Sequence, residues 1–113
     1  MSAFAICQLR TVEFGPEIGR YLEEIDATLE PYAGEFRVHG GTPEVAEEPW
    51  EGVVVVIEFP DSDSARAWYH SDAYQRILPL RTENSDSSAI LVEGVEPGYR
   101  AASFAAQASQ PAA

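Results

Sequence analysis

Five consecutive apolar residues, Val53 to Ile57, leave one segment of this 113-residue chain without a polar side. At two residues per repeat, such a run presents apolar groups to both faces of a sheet, so it reads as a strand covered above and below. The remaining sequence has helical patterning enough to cover one face. A second cover has to come from outside the subunit.

The length corresponds to a single domain that buries roughly two-thirds of its unfolded surface and needs no disulfide or metal to fold. Cys7 is the one cysteine and lies among Phe4, Ala5 and Ile6, where it reads as a small buried apolar residue rather than a nucleophile. No CxxC or HxxxH spacing offers a metal site. The formal charge is -12, from 19 acidic and seven basic residues, and every basic residue is arginine. An acidic surface repels phosphate backbones and anionic lipid, so neither nucleic acid nor membrane is expected as a partner. Without lysine there is no Schiff-base chemistry. The opening MSAFAICQLR has neither the apolar length nor the positive leader of a signal peptide, and no run of about 18 apolar residues exists. A cytoplasmic location is expected.

Residues 3 to 10 read as a first strand, also apolar on both sides, with Phe4 and Ile6 opposite Ala5, Cys7 and Leu9. Gly15-Pro16 opens a helix whose stripe is Ile18, Leu22, Ile25 and Leu29, closed by Pro31 and Gly34. Glu35 to His39 alternates as an edge strand, Phe36 and Val38 on one side and Glu35, Arg37 and His39 on the other. Gly40-Gly41 permits a bend, and residues 42–51 form a loop in which Trp50 packs over an edge. Pro60 ends the apolar strand, and Asp61 or Ser62 caps a helix that buries Ala65, Trp68 and Tyr69. Ser71 caps a second helical piece with Tyr74, Ile77, Leu78 and Arg81 on one stripe, which Pro79 is expected to kink or end. Ala89 to Glu93 is the last strand. The expected domain is therefore 1–94, and 95–113, rich in Ala, Ser, Gln and Pro, is expected to be a mostly disordered tail.

The order βαββαβ predicts an α+β, ferredoxin-like fold, a four-stranded antiparallel sheet with two helices on one face and the first and third strands central. Those are the two strands that read apolar on both sides. Leaving roughly 500 Å² of the opposite face in water would cost on the order of 12 kcal/mol at about 25 cal/mol per Å². Pairing with a second copy removes that cost, so a homodimer is expected.

Trp68, Tyr69 and Tyr74 converge with Phe36 and Phe59 near one helix-sheet junction. Trp68 and Phe59 are equally readable as packed core, whereas a buried tyrosine hydroxyl requires a partner, which favours Tyr69 and Tyr74 as cleft residues. Arg81 shares the Tyr74 stripe and suits a carboxylate; the alternative is a structural salt bridge to Glu58, Glu83 or Glu93. His39 is the one candidate for catalytic proton transfer, although strand alternation turns it away from Phe36. His70 reads as a surface residue. No GxSxG, GxGxxG or phosphate-cradling loop occurs, and no cofactor is implied.

The blocks Val38-His39-Gly40-Gly41, Val54 to Pro60, Ala67-Trp68-Tyr69 with Ser71, Tyr74-Gln75, Leu80-Arg81 and Leu91 to Gly94 together resemble a bacterial family of domains of unknown function, numbered thirteen-thirty. That family lies within the dimeric α/β-barrel superfamily of ferredoxin-like folds. The resemblance implies a homodimeric α/β barrel with a small cleft in each subunit, and relatives that include cofactor-free monooxygenases, muconolactone-type isomerases, haem-degrading enzymes and ligand sensors. A shared fold does not choose among these. The expectation is a protein binding a small acidic or aromatic metabolite through Tyr69, Tyr74, Arg81, Trp68, Phe36 and Phe59, as a cofactor-independent isomerase or monooxygenase or as a non-catalytic sensor module.

Overall fold

The first strand, β1 (Ala3–Val12), carries the sheet: it pairs antiparallel with both β3 (Val53–Phe59) and β4 (Ser85–Glu93). The edge strand β2 (Glu35–His39) joins β3 on the far side, giving the order β2-β3-β1-β4. The protein is seen here in a computed structural model that describes residues 1–108. β1 and β3 are central, as their two-sided apolar sequences require.

One expectation is overturned. The sheet is open, ending at β2 and β4, which share no ladder, and it is not closed into a barrel. Four strands are too few to close on themselves, since about eight are needed before a barrel interior just holds its side chains.

Helices α1 (Pro16–Leu29), α2 (Ser62–Tyr69) and α3 (Asp72–Thr82) pack against one face. Pro16 opens α1, where its missing N–H removes a donor that would have no partner, and a 3₁₀ turn over Glu30–Tyr32 ends at Ala33 in the left-handed conformation. Asp61 caps α2, its Oδ1 accepting the Ser64 N–H at 2.7 Å, and Ser71 caps α3 by accepting from the Tyr74 N–H at 3.2 Å. The two caps divide the second helical layer. Pro79 does not end α3, which runs on to Thr82.

The core holds Ala3, Ile25, Leu29, Ile57, Phe59 and Trp68, all 5% exposed or less. On α1 the buried stripe is Ile18, Tyr21, Ile25, Thr28 and Leu29, so Tyr21 takes the inner place assigned by spacing to Leu22, which is 41% exposed. Gly52, at φ +79, lets the chain enter β3 against β1, since an added Cβ would lie 1.7 Å from the Leu9 carbonyl oxygen. Trp50 remains half exposed and donates from Nε1 to the Gly52 carbonyl at 3.0 Å.

Within the stretch expected to be disordered, Ala101–Ala108 form a further helix, α4, which the alanine-rich sequence favours. Residues 109–113 lie outside the described residues. No described helix is long and apolar enough to cross a membrane.

Candidate functional site

Between α1, α3 and the sheet lies a cavity of about 170 Å³. Its size compares with a buried apolar cavity of about 150 Å³ that holds benzene. Val55 and Ile57 of β3 form part of its sheet side, and Trp68, Tyr69 and Tyr74 part of the helical wall. The exposed side chains of Phe14, Leu22 and His39 also line it, which places its mouth beside the end of β2.

A buried cation lies in this cavity. Arg81 is 5% exposed, and its Nη1 donates to the Ser87 hydroxyl at 2.7 Å and lies 3.6 Å from the Cys7 sulfur. Its Cζ stands 6.0 Å from the centre of the Tyr21 ring, and the Tyr21 and Tyr74 hydroxyls are hydrogen-bonded to each other at 2.6 Å. Among the described residues Arg81 makes no ion pair. Of the carboxylates offered by the sequence as structural partners, Glu58 is occupied by Arg37 at 2.8 Å and by the Ser2 hydroxyl at 2.6 Å.

The groups facing the guanidinium keep their protons. Burial pushes the Tyr21 phenol far up, reinforced by Tyr74, and burial likewise raises Tyr74 against the opposing pull of Arg81. Burial also raises the Cys7 thiol, more than Arg81 and Arg10 lower it. For Arg81 itself burial works against the charge, but the oxygens of Tyr74 and Tyr21 more than offset it, and the guanidinium stays protonated. The arrangement is a desolvated positive charge ringed by neutral dipoles, suited to receive an anion.

The aromatic residues separate into two roles. Phe59 is 1% exposed and packs on Trp68 at 5.4 Å between ring centres, as core, and it does not line the cavity. Trp68 does both, since its Nε1 donates to the Thr28 hydroxyl at 2.9 Å while its ring stacks 4.1 Å from that of Tyr74. Tyr69 is partly buried and lines the cavity 5.5 Å from Tyr74. Phe36 borders it from β2.

His39 stands where simple alternation would not put it. The register runs Phe36 to Ile57, Val38 to Val56 and His39 to Val55, so Arg37 is an extra residue in β2. Arg37 keeps the helix-free face, where it pairs with Glu35 and Glu58, and the bulge turns Val38 there too. It brings His39 to the side of Phe36, with 4.9 Å between ring centres, at the cavity mouth. Phe36, Trp68, Tyr69, Tyr74, Arg81 and His39 are thus brought together, and Phe59 is not.

Sequence reasoning missed Tyr21, Cys7 and Ser87 as neighbours of the charge. Tyr21 was detectable, being three residues after Ile18 and four before Ile25. Ser87 was hidden because β4 begins at Ser85, within a polar run that carries no strand pattern. Among the described residues no group of three or more His, Cys, Asp or Glu side chains could hold a metal ion.

Residues 2–95 match the family model described as a domain of unknown function, DUF1330. The chain belongs to the DUF1330 family. Its fold is similar to that of a protein of unknown function from Rhodopseudomonas palustris, at 14% identity and a TM-score of 0.63, with 85% of this chain and 84% of that chain covered. It is also similar to a dimeric ferredoxin-like protein of unknown function from Jannaschia sp. CCS1, at 15% identity and a TM-score of 0.59, covering 83% and 100%. A third is SnoaB, a cofactor-independent oxygenase from Streptomyces nogalater, at 16% identity and a TM-score of 0.56, covering 88% and 97%. No curated protein matches the chain. At these identities the likeness between this DUF1330 chain and the solved structures is one of fold.

Proposed function

We propose that this DUF1330 protein is a cytoplasmic homodimer that binds a small acidic, aromatic metabolite in the cavity between helices and sheet. The observation that carries the reading is Arg81, a cation buried among neutral groups without a carboxylate partner among the described residues. A ligand anion would supply the missing charge, Tyr69, Tyr74 and Trp68 would hold its ring, and Phe36 would border it.

The partner in the proposed dimer is a second copy meeting the helix-free face. Phe4, Ile6, Val54 and Val56 lie there, and Ile90 and Val92 beside them are 56% and 43% exposed. The dimeric Jannaschia protein of the same fold supports a second copy as the partner.

A second reading adds chemistry. His39 is exposed and lines the cavity, as a residue exchanging protons with both ligand and solvent must, and SnoaB of the same fold is an oxygenase that needs no cofactor. In this reading His39 accepts a proton from the bound ligand.

Mass spectrometry of small molecules released from the purified protein tests both. An aromatic acid released by the wild type and absent from Arg81→Met is expected; equal release would refute the anion site. Turnover of that compound, lost in His39→Asn with binding retained, is expected for catalysis. Return of the compound unchanged by wild type makes the protein a binding module.

A further inference from the structure

His39, Val55, Cys7 and Ala89 form one row across the sheet, from β2 through β3 and β1 to β4. His39, Val55, Cys7 and Ala89 all line the cavity. Strand side chains stand roughly perpendicular to their sheet, so groups above neighbouring positions of a row are spaced as the strands are. The Arg81 guanidinium lies between β1 and β4, 3.6 Å from the Cys7 sulfur and 2.7 Å from the Ser87 hydroxyl. His39 is on β2 at the far edge, and at about 4.8 Å per strand the two groups are roughly 12 Å apart.

That separation measures the ligand. A hydrogen bond of about 3 Å at each end leaves roughly 6 Å between the two polar atoms of a molecule that touches both. The span is that of substituents on different carbons of one six-membered ring. A fused second ring would not fit between them. Over the middle of the row lies Val55, an apolar floor, and Trp68 and Tyr74, stacked at 4.1 Å, belong to the wall above.

We infer that the cavity is built for a single-ring hydroxy-aromatic acid, lying along this row with its ionised group on Arg81 and its hydroxyl on the His39 imidazole. This rests on the anion site proposed above and adds to it the size of the ligand and the role of the second end. Arg81 selects charge, and His39 selects a proton-bearing substituent one ring away.

Titration calorimetry with four probes tests this: benzoate, 3-hydroxybenzoate, 6-hydroxy-2-naphthoate and hexanoate. The wild type is expected to bind benzoate, to bind 3-hydroxybenzoate roughly fivefold tighter, as one added hydrogen bond of about 1 kcal/mol requires, and to reject the naphthoate. In His39→Leu, an exposed substitution, benzoate and 3-hydroxybenzoate should bind equally. In Arg81→Gln, with folding checked by near-ultraviolet circular dichroism, neither should bind. Naphthoate binding as well as benzoate, a hydroxyl preference that survives His39→Leu, or hexanoate binding through Arg81 while the aromatic acids do not, would each overturn the single-ring assignment and leave the anion site standing. Failure of all four carboxylates to bind the wild type would overturn both.

Discussion

Replacing Arg81 by methionine should leave the unliganded protein as stable as the wild type or more so, while removing its affinity for anions. The guanidinium is 5% exposed, and its removal from water costs several kcal/mol that no carboxylate among the described residues returns. Against that cost stand one charge-assisted hydrogen bond to Ser87, contributing about 1.5–3 kcal/mol, and a contact with the Tyr21 face at the outer limit of cation–π range, about 0.5–1 kcal/mol. Methionine is unbranched and fills the same channel. No polar group is orphaned by the change: Ser87 keeps Ser85 at 2.9 Å, and Tyr21 keeps Tyr74. The balance runs from neutral to about 2 kcal/mol in favour of the variant, as when other buried charges give way to apolar residues of similar volume. At about 4 °C per kcal/mol for a domain of this size, Tm should hold or rise by up to roughly 8 °C. Differential scanning calorimetry at fixed protein concentration measures this, and benzoate titration into the same samples measures the affinity. A fall in Tm of several degrees without ligand would show that the guanidinium holds the fold together, and the case for a stored, unmatched charge would be refuted.

Thr28→Val should destabilise the protein by about 2 kcal/mol in urea denaturation, because it leaves the buried Trp68 Nε1–H without its acceptor, whereas Thr28→Ser, which keeps the oxygen, should cost clearly less; equal losses would refute the hydrogen-bond account. At alkaline pH stability should fall. The Tyr21 and Tyr74 phenols are raised above their usual 10.0 in the folded state, so their contribution is complete below that pH and is lost as the pH climbs past it toward the folded values. The double variant Tyr21→Phe/Tyr74→Phe should flatten that decline in melts at pH 9 to 11, and an unchanged slope would contradict it. Val56→Asp, on the helix-free face, should convert a wild-type dimer to monomer in sedimentation velocity at micromolar concentration, and a monomeric wild type would refute the pairing.

The fold was legible where residue pattern and local chemistry agree. Val53 to Ile57 and Ala3 to Leu9 named the central strands because a residue without a polar side has one place in an open sheet, between two others. Asp61 and Ser71 named the helix starts because their oxygens answer backbone N–H groups within three residues. The start of β4 was not legible: Ser85 to Ser88 has no apolar alternation and is a strand because β1 offers it a ladder. Closure into a barrel was an inference from kinship, and the edges at β2 and β4 overrule it.

The site was harder to read than the fold for a reason visible at its two ends. His39 faces the cavity only because Arg37 occupies an extra position in β2, and that bulge is stabilised across the sheet by Glu58, 21 residues later in the chain. Local alternation therefore gave the wrong face: a period of two has no term for a partner supplied by another strand. Arg81 poses the complementary problem. A stripe shared with Tyr74 placed it correctly on the inner side of α3, but whether it was a salt bridge or a binding group depended on which carboxylates remained free. Strand alternation answers that for Glu58, which lies on the opposite face between the inward Ile57 and Phe59 and pairs there with Arg37. The bulge at Arg37 thus sets the orientation of the imidazole, so Arg37→Ala should disturb the cavity from a position that does not touch it.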